Sequence, residues 1–351
     1  MDGLNRIIQY FNDDNITKSR LANFLLVQQE IREKKTILKS MPYRYILEPT
    51  NSCNLECPLC PSSVKFKGKI LKHMGLIEFK KTINYIESYA LELYLQNWGE
   101  STLNSELINM IDYANKKNIF TYLSTNFSVH YTDAYLHSLM SSGLSVLHID
   151  LDGTDAETYK RYRVGGNFDL LISNIKKIVK IKKELNYTYP IIKTHFMVMN
   201  HNEHQIEESK QLAKYLGVDE HTIGNIQVNP NTSYEWLPSD KKYVYSTYKE
   251  NTNSPSICNW LYSSLVINSN GSISPCCIVF DEKATFGNLF QDTLAELRNN
   301  KYFTSARSVF TKDKEKVHTI CSECKNMTHS TELSRVGNTF SIKLKNTKMK
   351  K

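Results

Sequence analysis

From Tyr43 onward, apolar residues follow two alternating rhythms. Short apolar runs bounded by polar residues read as strands over 45–47, 91–96, 120–124, 146–151, 192–199 and 226–228. Between them, apolar positions three and four residues apart predict amphipathic helices over 76–89, 105–117, 133–142, 168–185 and 204–216. Strand–helix alternation of this kind implies a parallel sheet with crossover helices, an α/β fold. Along the fifth strand Thr194, Phe196 and Val198 alternate with Lys193, His195 and Met197, and along the sixth Ile226 and Val228 alternate with Asn225, Gln227 and Asn229. The more apolar face packs on helices, which turns His195, Gln227 and Asn229 to the other side. There they are candidate substrate contacts, or polar groups satisfied in the interior without a role.

Ahead of this region, 1–41 reads as a helical extension in two pieces. Leu4, Ile7, Ile8 and Phe11 form one apolar stripe and Leu21, Phe24, Leu25 and Ile31 another, with the polar run Asn12, Asp13, Asp14 and Asn15 as the break. Packing on the main domain is the expected fate of such a segment. The stretch 231–257 is polar and reads as a linker, and 331–351 as a basic tail.

The 351-residue chain is 40% hydrophobic and 23% charged, which suits one large α/β domain plus a smaller one. No run approaches the roughly 18 apolar residues of a membrane span, and the polar N-terminus is not a signal peptide. A cytoplasmic location is expected, where eight cysteines are metal ligands or reactive thiols rather than disulfides. The net charge of +8 is concentrated partly in Lys343, Lys345, Lys348, Lys350 and Lys351, a solvated terminus, so no nucleic-acid partner is inferred.

The chemistry is carried by cysteines. Cys53, Cys57 and Cys60 follow the first strand with the spacing C-x3-C-x2-C. Three thiolates on one loop can hold three irons of a [4Fe-4S] cluster and leave the fourth iron open, as catalytic metal sites keep a position open; a zinc knuckle or three unrelated core cysteines are the alternatives. Later, Cys258, Cys276, Cys321 and Cys324 form a second set, with Asn270-Gly271 marking a hairpin just before Cys276. Four thiolates complete one cluster or one structural zinc. A protein with two zinc–cysteine modules is therefore the non-enzymatic alternative. Cys277 is left over, either buried or a thiol placed to donate a hydrogen atom to a substrate radical.

The first spacing resembles that of the radical S-adenosylmethionine (SAM) superfamily, and the strand ends strengthen the resemblance in order. Asn97-Trp98-Gly99-Glu100 is similar to the family's Gly-Gly-Glu-Pro motif, with Trp98 and Ser101 replacing its outer residues; the resemblance places Gly99 and Glu100 at the SAM amino group. Ser124-Thr125-Asn126 looks like the turn beside SAM. Asp150-Leu151-Asp152-Gly153 and Arg163 look like the ribose-binding turn and the carboxylate-binding arginine. Leu59 stands where the family often has an adenine-stacking aromatic.

The resemblance implies a partial (β/α)6 TIM-type barrel over 42–230 and a small β-hairpin/helix SPASM/twitch domain over 258–330. It also implies SAM, a SAM-binding [4Fe-4S] cluster and an electron donor of flavodoxin or ferredoxin type. SAM is then cleaved to a 5′-deoxyadenosyl radical that abstracts hydrogen from substrate. A full SPASM domain continues with two more cysteines where this chain has Ser330 and Ser334, so one auxiliary [4Fe-4S] cluster is expected. Residues 1–41 look too short for a leader-peptide-binding domain. The expected reaction is net oxidation of a small molecule such as a sugar or secondary-metabolite intermediate, with epimerisation or cross-linking of a ribosomal peptide as the alternative.

Overall fold

The computed structural model describes residues 17–64, 71–226, 234–244, 257–311, 317–322, 324 and 340–343. Its strands are β1 (Arg44–Leu47), β2 (Glu92–Leu95), β3 (Phe120–Thr125), β4 (Val146–Asp150), β5 (Ile191–Val198), β6 (Glu220–Asn225), β7 (Ser264–Ile267), β8 (Ile273–Ser274) and β9 (Phe340–Lys343). The longer helices are α1 (Lys18–Arg32), α2 (Leu76–Ile86), α3 (Leu107–Lys116), α4 (Asp133–Ser141), α5 (Phe168–Glu184), α6 (Ile206–Leu216) and α7 (Lys301–Ser308). The chain forms two compact units, one from Met1–Ser52, Lys69–Thr121 and Ser246–Arg335, the other from Cys53–Gly68, Tyr122–Tyr245 and Val336–Lys351.

In the first unit β1 runs parallel to both β2 and β7, and β7 turns back antiparallel into β8. The Asn270-Gly271 turn that the sequence marks is this hairpin, with Gly271 at φ +81, a value glycine tolerates without a Cβ penalty. Helix α1 docks here, but of the expected stripe only Phe24 is buried. Leu21 is 42% and Leu25 57% exposed, and the buried face is Arg20, Asn23, Phe24, Val27 and Glu30. Arg20 donates to the carbonyls of Glu87, Lys117 and Asn118 at 2.8, 2.7 and 2.5 Å. Glu87 and Lys117 cap the C-termini of α2 and α3, where a cation is favoured. Glu30 in turn accepts from the Ser40 hydroxyl and from the Lys39 amide at 2.6 Å. Hydrogen bonding to backbone therefore set the docked face, which an apolar count cannot detect. The other expected stripe, Leu4 to Phe11, lies outside the described residues.

In the second unit β3, β4, β5 and β6 follow one another in sequence order, all parallel, and β9 adds antiparallel to β6. Phe196 and Val198 pack with Ile223 and with Ile206 of α6, so the parity expected for β5 holds. The sixth strand is corrected: β6 occupies Glu220–Asn225, ahead of the expected 226–228, of which only Ile226 is among the described residues. Its sequence, Glu-His-Thr-Ile-Gly-Asn, has one large apolar residue, and its polar groups are satisfied inside instead. His221 is wholly enclosed, with Nδ1 2.9 Å from Thr194 Oγ1 and Nε2 3.1 Å from Ser209 Oγ. Gln227 and Asn229 lie outside the described residues. Part of the expected linker is structured: Tyr234–Trp236 and Lys241–Tyr243 form 3-10 turns, and Trp236 and Leu237 join the second unit's core. Among the described residues no helix is long and apolar enough to cross a membrane.

Burial lowers the His221 pKa to about 4, helped by the field of His195. The folded group stays neutral while the unfolded one, with its ordinary value near 6.5, takes up a proton. Its contribution is therefore present above about pH 6.5 and is lost as pH falls toward 4, by about 3 kcal/mol in all. The urea midpoint is expected to drop between pH 7 and 5, and His221→Gln to flatten that drop; an equally steep dependence in the variant would show that other groups titrate.

Candidate active site

The cysteine loop belongs to the second unit and is gripped from two sides. Asn54 Nδ2 donates to the Ser128 backbone carbonyl and Asn54 Oδ1 accepts from Asn126 Nδ2, both at 3.0 Å, and Asn126 Oδ1 receives the Ser128 N–H at 2.8 Å. On the other side Glu56 N–H meets the Val164 carbonyl at 2.9 Å. Gly165, at φ +85, lies against the loop, where a Cβ would come within 3.2 Å of the Asn54 carbonyl. The turn after β3 and the segment after β4 thus fix the loop after β1.

Within that loop Cys57 is buried, Cys60 half-buried and Cys53 exposed. Cys57 packs with Leu55, Tyr162, Met199 and Ile226, and Leu59, Cys60 and Trp236 lie against this cluster. The Leu55 N–H approaches Cys53 Sγ at 3.4 Å, and Cys60 N–H bonds the Cys57 carbonyl at 3.0 Å. Burial pushes the Cys57 thiol up to about 11, against the opposing pull of Arg163, so metal binding there must release a proton.

Arg163 sits beside this thiol, with Nη1 4.0 Å from Cys57 Sγ. Its Nε and Nη2 reach Asp152 Oδ2 at 2.7 and 2.5 Å, and Nη2 reaches Asp150 Oδ2 at 3.1 Å. Asp152 is fully enclosed and also accepts the Met197 N–H at 2.8 Å. Asp152 therefore orients Arg163, while Asp150 keeps an accessible edge. Burial opposes ionisation of Asp150, but Arg163, His148 and His195 hold its carboxyl well below the usual range.

The alternation on β3, β4 and β5 puts Tyr122 and Ser124, His148 and Asp150, and His195 on one face, opposite Leu147, Ile149 and Phe196. The Tyr122 hydroxyl is 2.5 Å from His148 Nδ1, and the His148 and His195 rings lie 5.1 Å apart. His148 and Tyr122 were not anticipated. The parity argument that turned His195 inward, applied to β3 and β4, finds both.

Gly99 and Glu100 belong to the first unit. A Cβ on Gly99 would collide with the Thr50 carbonyl and approach Asn51 Cα at 2.9 Å, so only glycine fits this close approach. Glu100 is buried, with its N–H on the Ser52 carbonyl at 2.7 Å and its carboxylate accepting from Thr102 Oγ1 at 2.7 Å. Trp98 N–H is held by Glu48, whose second oxygen takes the Ser269 N–H and hydroxyl.

Cys258, Cys276, Cys321 and Cys324 are in the same unit. Burial raises the thiols of Cys258 and Cys276; Cys324 adds to the first, and Cys277, Cys321 and Cys258 to the second. A single zinc draws its sulfurs to about 3.8 Å from one another. Among the described residues no three cysteine sulfurs lie within 4.8 Å of one another. Burial pushes the Cys277 thiol up to about 11, against the opposing field of Arg44. Ser330 and Ser334 lie outside the described residues.

The family model of the radical SAM superfamily matches residues 47–213, and that of the SPASM iron-sulfur cluster-binding domain matches 258–325. The chain belongs to the radical SAM superfamily. It carries a SPASM domain, and its cofactors are SAM, a SAM-binding [4Fe-4S] cluster and an auxiliary [4Fe-4S] cluster. The tungsten-containing aldehyde ferredoxin oxidoreductase cofactor-modifying protein of Pyrococcus furiosus is 24% identical, over 81% of this chain and 87% of that one. The PqqA peptide cyclase of Bradyrhizobium diazoefficiens is also 24% identical, over 59% of this chain, which spans only about half (51%) of the cyclase. In fold the radical SAM chain is similar to Streptococcus suis SuiB bound to S-adenosylmethionine, with a TM-score of 0.63, 16% identity, and 86% of this chain and 75% of that one covered.

Proposed function

We propose that Cys53, Cys57 and Cys60 hold the cluster that binds SAM, that Cys258, Cys276, Cys321 and Cys324 hold the auxiliary cluster, and that the enzyme removes two electrons from a small hydroxylated substrate. Bound there, the first cluster and SAM would supply reductive SAM cleavage and hydrogen abstraction, and the auxiliary cluster would supply an acceptor for the second electron. Asn126 and Ser124 form the turn beside SAM. Arg163 carries the charge that matches the SAM carboxylate, Leu59 offers apolar contact to the adenine, and Asp152 keeps Arg163 in place. A flavodoxin or ferredoxin supplies the electron.

The observation that carries the substrate class is the half-buried polar face of Tyr122, His148, Asp150 and His195, which suits hydroxyl groups. The Pyrococcus relative, named for acting on a cofactor, supports the same reading because it matches over nearly its whole length. A peptide substrate is the second reading, favoured by the cyclase above and by the fact that SuiB was also solved with its precursor peptide SuiA. Comparing metabolites of a deletion strain with its parent separates the two. The first reading expects the deletion strain to accumulate a small compound heavier than its partner product by two hydrogens. Accumulation of an unmodified short peptide instead would replace it with the second.

A further inference from the structure

We propose that His148 Nε2, Asp150 Oδ1 and His195 Nδ1 bind one divalent first-row transition-metal ion, separate from both clusters. The three donor atoms lie within 4.8 Å of one another, on adjacent parallel strands of one unit. Asp150 Oδ1 is 3.4 Å from His148 Nε2 and 3.7 Å from His195 Nδ1. Good N–H···O bonds are shorter, about 2.7–3.2 Å. Ligands bound at about 2.0–2.1 Å to one ion sit about 3.0–3.4 Å apart, and these spacings approach that range.

Each imidazole presents a single nitrogen to this point because its other nitrogen is placed elsewhere. His148 Nδ1 faces the Tyr122 hydroxyl at 2.5 Å, the kind of outer contact that fixes a ligating histidine. His195 Nε2 lies against Gly224, where any Cβ would run into it, so glycine at 224 seats the ring with Nδ1 toward Asp150. The second oxygen of Asp150 is held by Arg163 at 3.1 Å, as ligating carboxylates are commonly held.

The charges also favour a dication. Asp150 and Asp152 against Arg163 leave one net negative charge, and the neighbouring Lys193 is offset by Glu220 at 3.8 Å. The three side chains are 14%, 19% and 20% exposed, so an ion can enter and keep open positions. Two histidines and one carboxylate with open positions suit Fe2+, Mn2+ or Zn2+. Such an ion would orient a substrate oxygen on this face.

The probe is Mn2+ alone, added anaerobically to the reconstituted holoenzyme with its clusters oxidised, reading the fall of the free Mn2+ EPR signal. Wild type is expected to remove one ion per chain, and Zn2+ to release it. His148→Gln and His195→Gln are expected to bind about tenfold more weakly or worse, and Tyr122→Phe, which keeps all three ligands, about tenfold more weakly. Unchanged iron content in each variant reports an intact protein. Wild type that leaves all Mn2+ free, or variants that bind it as tightly as wild type does, would overturn the proposal. The readout needs neither SAM cleavage nor substrate, so it can fail while the proposed function stands.

Discussion

Enzyme carrying Cys60→Ala is expected to make no 5′-deoxyadenosine above the no-enzyme background, and to lose about four irons per chain after reconstitution. Alanine keeps the Cβ, and the loop's restraints lie in other groups: the Cys60 N–H on the Cys57 carbonyl, Asn54 on Ser128 and Asn126, and Glu56 on Val164. The protein should therefore fold while its first cluster is short of one thiolate. The remaining two, Cys53 and Cys57, hold two irons at most. Cys277→Ala is the matched control. Its thiol belongs to neither proposed ligand set, so iron content should not change. SAM cleavage persisting in Cys60→Ala at wild-type rate would sink the assignment of this triad, and loss of four irons in Cys277→Ala would sink that of the second set.

The same residues show what a sequence reveals and what it hides. The C-x3-C-x2-C spacing, the Asn270-Gly271 turn and the first five strands were legible because each is a local pattern: ligand spacing, turn chemistry or an apolar run. Strand β6 was misplaced because its interior is made polar and then satisfied, His221 by Thr194 and Ser209, and no periodicity records that pairing. The docked face of α1 was hidden for the same reason, since Arg20 and Glu30 are buried by backbone groups far along the chain. Arg298 and Arg307 repeat the lesson. Both are buried, and they donate to the carbonyls of Ser40, Thr36, Leu261 and Tyr262, which ties α7 and the short helix before it (Leu294–Arg298) to the segment after α1. Of the site, the residues named for one motif each were visible. Their roles toward one another, such as Asp152 orienting Arg163 and Asn126 gripping Asn54, depend on strands meeting side by side.

Asp152→Asn is expected to destabilise the protein by about 3–5 kcal/mol, more than any other single change on this face. The carboxylate has no exposure and two obligations, the Arg163 guanidinium on Oδ2 and the Met197 N–H on Oδ1. An asparagine of the same shape has one oxygen for these donors. Whichever way it turns, its NH2 faces either a guanidinium or a backbone N–H, so a buried donor is left unmade and a buried cation loses half its counter-charge. Asp150→Asn should cost much less. That side chain is 19% exposed and touches Arg163 at a single 3.1 Å contact, so water can replace what is lost. Urea unfolding of the two variants against wild type at pH 7.5 gives the comparison. Equal losses would mean that Arg163 is held by the pair jointly, and a loss under about 1 kcal/mol for Asp152→Asn would mean that the buried ion pair does not restrain it. Because Arg163 also reaches Cys57 at 4.0 Å, the destabilised Asp152→Asn variant should reconstitute its first cluster in lower yield even where it stays folded. That coupling makes Asp152 a positioning residue for the cysteine loop as well as for the arginine.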